Sequence, residues 1–171
     1  MIVEIRTSPE LEVDPIATPA MRRVLRRLIA RVRDRSPVAL CGGKPQIDVT
    51  LVDEDEVRRL NAKYRQEDRA TDVLAFPLLE ELDDASGPFD TVLLGDVVIA
   101  VPVAAESAEE RSISLLHELA FLACHGALHL LGWDHPDERS LQDMHSMSHD
   151  AMDSVFLTEY ADDWDREGEG D

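Results

Sequence analysis

Between residues 18 and 34 the apolar side chains Met21, Leu25, Leu28, Ile29 and Val32 recur at helical spacing, and arginines fill the positions between them. That stripe predicts an amphipathic helix, with Thr18 as its cap and Pro19 in its first turn. Gln46 to Val52 alternates with a period of two and predicts a strand. Asp53 then caps a short helix to Tyr64 that places Val57 and Leu60 on one face. Asp72–Leu79 and Thr91–Val101 are β-rich runs separated by the turn-prone stretch Asp83–Pro88. A short helix over 103–110 follows. A longer one starts at Ser112 or Ser114 and runs through Leu131, where Gly132 ends it in a left-handed conformation. A last helix is expected over 137–159.

A first strand over Met1–Arg6, where Ile2, Val3 and Ile5 alternate with Glu4 and Arg6, completes the order: strand, helix, strand, helix, two strands, then helices. This order predicts an α+β fold, a small mixed sheet covered by helices. No repeat, linker or break in composition divides the 171 residues. Residues 1–160 are therefore expected to form a single domain, and 161–171 an acidic, frayed tail.

Charge changes the picture in one respect. The formal net charge is −19, but it is unevenly spread: residues 1–70 hold 14 Lys+Arg against 12 acids, and residues 71–171 hold three Arg against 24 acids. A local basic surface can thus coexist with a repulsive whole. The arginines at 22, 23, 26, 27, 31, 33 and 35 read either as the solvated face of the first helix or as an RNA-contact face. No apolar run approaches the ~20 residues needed to span a bilayer, and the first residues lack the basic-then-apolar order of a signal peptide. The expected location is cytoplasmic, with no membrane partner. Cys41 and Cys124 need no disulfide framework, and Cys124 reads as a small buried thiol rather than a ligand.

The chemistry concentrates in His125-Gly126-Ala127-Leu128-His129-Leu130-Leu131-Gly132-Trp133-Asp134-His135. On a helix, a spacing of four turns the chain by about 400°, so His125 and His129 project from one face. Gly132 lets the chain double back and bring His135 to the same ion. Three neutral imidazoles and a water make an open catalytic site for one divalent ion, zinc by preference, suited to hydrolysis. Asp134 reads either as a carboxylate that orients a ligand imidazole or as a turn residue. His145 and His149 are also four apart, but among Ser146, Ser148 and Asp150 they read as a solvated helix face. The spacing is similar to the H-E-x-x-H-x-x-G-x-x-H motif of metzincin proteases, yet Gly126 stands where those enzymes carry the glutamate that serves as general base. Phe121 prevents His117-Glu118 from replacing it. A peptidase is disfavoured.

The full pattern resembles the YbeY family of bacterial rRNA-maturation endoribonucleases, whose motif has the form H-G-x-L-H-L-x-G-[YW]-D-H. Three further blocks agree in order: Leu60-Asn61 with Tyr64-Arg65, Thr71-Asp72-Val73-Leu74-Ala75-Phe76-Pro77, and Leu94-Gly95-Asp96-Val97-Val98-Ile99. The resemblance implies a four-stranded mixed sheet with a zincin-like metal helix, and one zinc ion on His125, His129 and His135. It implies cleavage of single-stranded RNA, trimming of the 3′ end of small-subunit rRNA, and ribosome quality control, so that the partners are RNA and the small ribosomal subunit rather than DNA. It places the family's functional arginine at Arg65, which is counted with His125 as catalytic. An arginine fork can hold a phosphate bidentately; the alternative is a structural salt bridge to Glu67 or Asp68. The expected site is a groove between the histidine helix and the segment carrying Arg65. Its general base is open between the metal hydroxide, Asp134 and the RNA 2′-OH. Ala75 stands where the family commonly has serine, and Ser112-Ile113-Ser114 replaces a frequent Gly-His-Ser. Two rival functions remain: another zinc hydrolase acting on a small substrate, and a non-catalytic assembly factor with a structural metal.

Overall fold

A computed structural model describes residues 1–32, 43–78 and 91–159. The described elements are β1 (Ile2–Thr7), α1 (Ala17–Val32), β2 (Lys44–Val52), α2 (Glu54–Arg65), β3 (Val73–Pro77), β4 (Thr91–Ala100), α3 (Val101–Arg111), α4 (Leu115–Leu130) and α5 (Glu138–Glu159). The four strands form one mixed α+β sheet in the order β1-β2-β4-β3. β1 and β4 both run parallel to β2, whereas β3 pairs antiparallel with β4, from Val73 opposite Ile99 to Pro77 opposite Gly95.

The apolar stripe of α1 is buried as its spacing predicts, with Ala20, Met21, Val24, Leu25, Leu28, Ile29 and Val32 all in the core. This helix packs on β1, α4 and α5. Its entry differs from expectation. Asp14 makes the turn before the helix, accepting hydrogen bonds from Ile16 N–H through its carboxylate (2.9 Å) and from Ala17 N–H through its carbonyl (2.9 Å), so Thr18 lies inside the first turn.

α4 sits at the centre of the fold. It packs against β3, β4, α1, α3 and α5, and buries residues on most of its circumference, including Leu119, Leu122, Cys124, Ala127, Leu128 and Leu130. Such burial explains why its sequence carries little amphipathic pattern. Val97 of β4 lies directly beneath Gly126, so a Cβ at residue 126 would come within 2.6 Å of Val97 Cγ1. A smaller apolar cluster of Val52, Val57, Leu74, Val98 and Ala100 lies under α2. Because adjacent side chains on a strand point to opposite faces, Val97 and Val98 serve these two clusters in turn.

Of the two serines able to open α4, Ser114 does so: its hydroxyl accepts from His117 N–H at 3.2 Å. Ser112 instead closes α3 in a left-handed conformation, φ 55°. Among the described residues no single helix is long and apolar enough to cross a membrane. The predicted turn at 83–88, Arg33, Arg35, Cys41 and the acidic tail lie outside the described residues.

Candidate metal centre

The candidate metal centre begins with how α4 ends. Gly132 has φ 84°, a conformation costly for any residue with a Cβ. It allows Gly132 N–H to reach His129 carbonyl and Trp133 N–H to reach Leu128 carbonyl, both at 3.0 Å, the paired bonds of a Schellman turn. The turn reverses the chain so that Trp133 carbonyl accepts from His129 Nδ1–H at 3.0 Å. That bond selects the His129 tautomer and leaves its Nε2 with a free lone pair. A backbone carbonyl thus orients the His129 ring. Asp134 has the turn role, its carboxylate accepting from His135 N–H at 2.8 Å.

The structure brings His125, His129 and His135 together, with one ring nitrogen from each lying within 4.8 Å of the others. His125 Nε2 and His129 Nε2 are 3.2 Å apart. Ligands at 2.0–2.1 Å from a tetrahedral ion would be separated by about 3.3–3.4 Å, so this pair matches one edge of such a site. Burial, followed by the neighbouring His129, His135 and His145, lowers the His125 pKa to about 4, against a smaller opposing effect from Asp72. Burial and His135 also lower that of His129, and Trp133 carbonyl and Asp134 only partly oppose them. Both imidazoles are therefore neutral at physiological pH, which is the state that ligates a metal. The residues fit a divalent ion.

Arg65 occupies the last turn of α2. The chain leaves that helix through Gln66, φ 61°, a left-handed position unusual for a residue other than glycine. Buried Asn61 anchors the departing loop. Its carbonyl accepts from Gln66 N–H and, at 3.4 Å, from Glu67 N–H, and its side-chain amide donates to Arg69 carbonyl at 2.9 Å. The acids considered as structural partners of Arg65 are engaged elsewhere: Asp68 with Arg58 at 2.7 Å, Glu67 with Arg69 at 2.6 Å. Among the described residues Arg65 makes no ion pair, and its positive charge disfavours protonation of His129. Tyr64, 57% exposed, packs edge-on against Phe76 beside it.

The cleft next to the triad lies where sequence reasoning did not place it. A volume of about 540 Å³ opens between α4, α5, the start of β3 and the α3–α4 junction, bordered by His125 and His135; Arg65 is not among its walls. His145 and His149, expected on a solvated face, line this cleft; His149 is exposed as expected, whereas His145 is half-buried with its ring centroid 6.0 Å from that of His125. Also unforeseen is Glu118, fully buried, whose two carboxylate oxygens each accept from Arg111 Nη1 at 3.0 Å. The signal available was an arginine and a glutamate flanking a helix junction, too common a pattern to single out. Cys124 is the buried thiol its apolar setting suggested, and desolvation pushes its pKa up.

A family model described as Endoribonuclease YbeY matches residues 9–155. The chain belongs to the YbeY endoribonuclease family. A YbeY relative named Endoribonuclease YbeY in Gloeobacter violaceus is 47% identical over 104 residues, covering 60% of this chain and 53% of that protein. One of the same name in Synechococcus sp. (strain RCC307) is 39% identical over 133 residues, covering 77% of this chain and 81% of that protein. The matched segment thus spans about half the length of the Gloeobacter relative. The solution structure of a Thermotoga maritima protein superposes with a TM-score of 0.59 at 25% identity, covering 94% of this chain and 93% of that one. The YbeY family motif falls on the end of α4 and its Schellman turn, the segment that gathers the three imidazoles.

Proposed function

We propose that this chain is a zinc-dependent, single-strand-specific endoribonuclease of the cytoplasm, acting in maturation of the 3′ end of small-subunit rRNA and in ribosome quality control. Two neutral imidazoles 3.2 Å apart carry this reading, joined by a third and set within the electrostatic reach of an arginine that has no acidic partner among the described residues. His125, His129 and His135 hold one ion, with His135 closing from the loop. When bound, the ion supplies Lewis acidity toward a phosphoryl oxygen and makes water a better nucleophile.

The protein's own part is positioning. Trp133 carbonyl holds the His129 ring so that Nε2 faces the ion site. Arg65, fixed by the Asn61-anchored cap, offers a planar fork to the non-bridging oxygens of the scissile phosphate and offsets the charge that builds on them. Gly126, pressed against Val97, leaves no room for the glutamate of a metzincin, which argues against peptide hydrolysis. The reading as a zinc hydrolase of small substrates has no use for a free Arg65 beside exposed Tyr64, and a structural metal has no use for an open cleft.

Arg65→Ala and Arg65→Lys provide the test. Lysine keeps the charge but loses the two-pronged donor set. Both variants should retain zinc and melt normally. Cleavage of labelled single-stranded RNA should fall about 10²–10³-fold in alanine, with partial recovery in lysine. Undiminished cleavage in Arg65→Ala would remove the assigned role of Arg65. Absence of any cleavage by the zinc-loaded wild-type chain would remove the ribonuclease reading.

A further inference from the structure

The cleft beside the triad is walled by rings. Residues 117, 121 and 125 recur every four positions on α4, and 145 and 149 do the same on α5, so each helix presents its rings along one line. His125 and Phe121 lie 6.2 Å apart with a 23° tilt, Phe121 and His149 5.4 Å apart with 28°, His149 and His117 6.3 Å apart with 35°, and His117 and Phe156 5.8 Å apart with 27°. These near-parallel rings make a ladder that leads away from the metal centre. His145 stands edge-on to Phe121 at 5.1 Å and closes the side nearest the ligands.

Phe156 is buried and Phe121 packs against the core, but the ladder opens outward from there: His149 is exposed, and His117 and His145 are only half-buried. Nor do the three histidines form a second metal site: among the described residues only the triad gathers ligand atoms closely enough. The polar groups at the far wall suit an uncharged planar ligand better than a phosphate. The Asp72 carboxyl already accepts from Thr71 Oγ1 and Val73 N–H, and Glu118 already takes Arg111 Nη1. The other guanidinium nitrogens of Arg111 have no partner among the described residues, so they remain free to donate to a ring nitrogen or carbonyl. The volume, about 540 Å³, lies in the range of small-ligand sites.

We propose that the cleft between α4 and α5 is a nucleobase subsite, in which a base next to the scissile phosphate of single-stranded RNA stacks against the exposed His149 ring. This rests on the ribonuclease reading, and it deepens it by assigning where the base goes. The phosphate stays with the triad and Arg65, while the base turns away from them into the ring-lined cleft. Stacking of this kind tolerates any base and favours purines, whose larger faces cover more of the platform. His149 is a positioning contact for substrate, remote from the ion.

Binding to non-cleavable oligomers tests the subsite separately from catalysis. The probes are 2′-O-methyl octamers of adenosine or uridine, and an abasic-spacer octamer with the same number of phosphates. Zinc-loaded wild-type protein should bind the adenosine octamer more tightly than the spacer, and His149→Ala should weaken the former roughly 5- to 150-fold while leaving the latter unchanged. His149→Trp should restore the difference, since it replaces the stacking face. Zinc content and melting temperature check that each variant is folded. Equal binding of the adenosine octamer by folded wild-type and His149→Ala proteins would overturn the subsite, as would a parallel loss for the spacer. Cleavage of ordinary RNA is the separate arm. His149-dependent base binding without cleavage would support the subsite and overturn the ribonuclease reading, whereas cleavage without that dependence would do the reverse.

Discussion

Gly126→Ala probes the contact that sets α4 on the sheet. The added Cβ would fall 2.6 Å from Val97 Cγ1 and 3.0 Å from Cγ2. Carbon atoms prefer about 3.5–4.0 Å, so the deficit is close to an ångström. Val97 is fully buried. Overpacking of this kind costs about 1–3 kcal/mol. Alanine gains about 1 kcal/mol over glycine inside a helix. The net effect is a loss of about 0–2 kcal/mol, and with roughly 2–4 °C per kcal/mol for a chain of this size the melting point should drop by up to about 8 °C. The decisive comparison repeats the change in a Val97→Ala background, where the clash is gone and only the helix gain of about 1 kcal/mol remains. Urea unfolding of the wild type, both single variants and the double variant gives a coupling energy, expected at about 1–3 kcal/mol. All four are measured in chelator, then in excess zinc. Coupling near zero, with Gly126→Ala stabilising in both backgrounds, would refute the claim that Val97 excludes a side chain here. Because residue 126 lies between His125 and His129, the ligands proposed above, a displaced helix should also weaken zinc binding, read by competition with a chromogenic chelator.

Three further outcomes are expected. His129→Ala should lower bound zinc sharply and remove zinc-dependent stabilisation, since two imidazoles leave an ion half solvated; near-stoichiometric zinc by elemental analysis would show the wrong ligand set. Arg111→Ala should destabilise the fold more at pH 8 than at pH 4. Burial already holds the Glu118 pKa above its ordinary value despite Arg111, so ionisation as pH rises costs stability, and the cost grows when the guanidinium is gone. Urea unfolding across that range reads the effect, and adding Glu118→Gln should abolish the extra pH dependence. Finally, with a net charge of −19, the melting temperature should climb between 0.01 M and 1 M salt as the Debye length shrinks from about 30 to ~3 Å. A flat curve would exclude self-repulsion as a limit on stability.

What the sequence determined by itself is local and periodic. Alternation over β2 and the stripe of α1 follow from the side-chain period of each element, and Asp53 before Glu56 marks an N-cap that the structure realises at 2.8 Å. The histidine spacing belongs to the same class. Residues 125 and 129 share a face because of helix geometry, and Gly132 permits the reversal because only glycine takes φ 84° without strain. The rest needed tertiary contacts. Trp133 carbonyl, rather than Asp134, orients His129 because the turn geometry decides which oxygen faces the ring. Ser114 rather than Ser112 opens α4, although both residues are equally able to cap. Gly126 reads only as a missing glutamate until Val97 is found beneath it. His145 and His149 have polar neighbours in sequence, so nothing local revealed that α5 turns them toward Phe121. Periodicity reports which residues share a face of their own element; which other element that face meets depends on how the helices pack, and packing is a property of the whole chain.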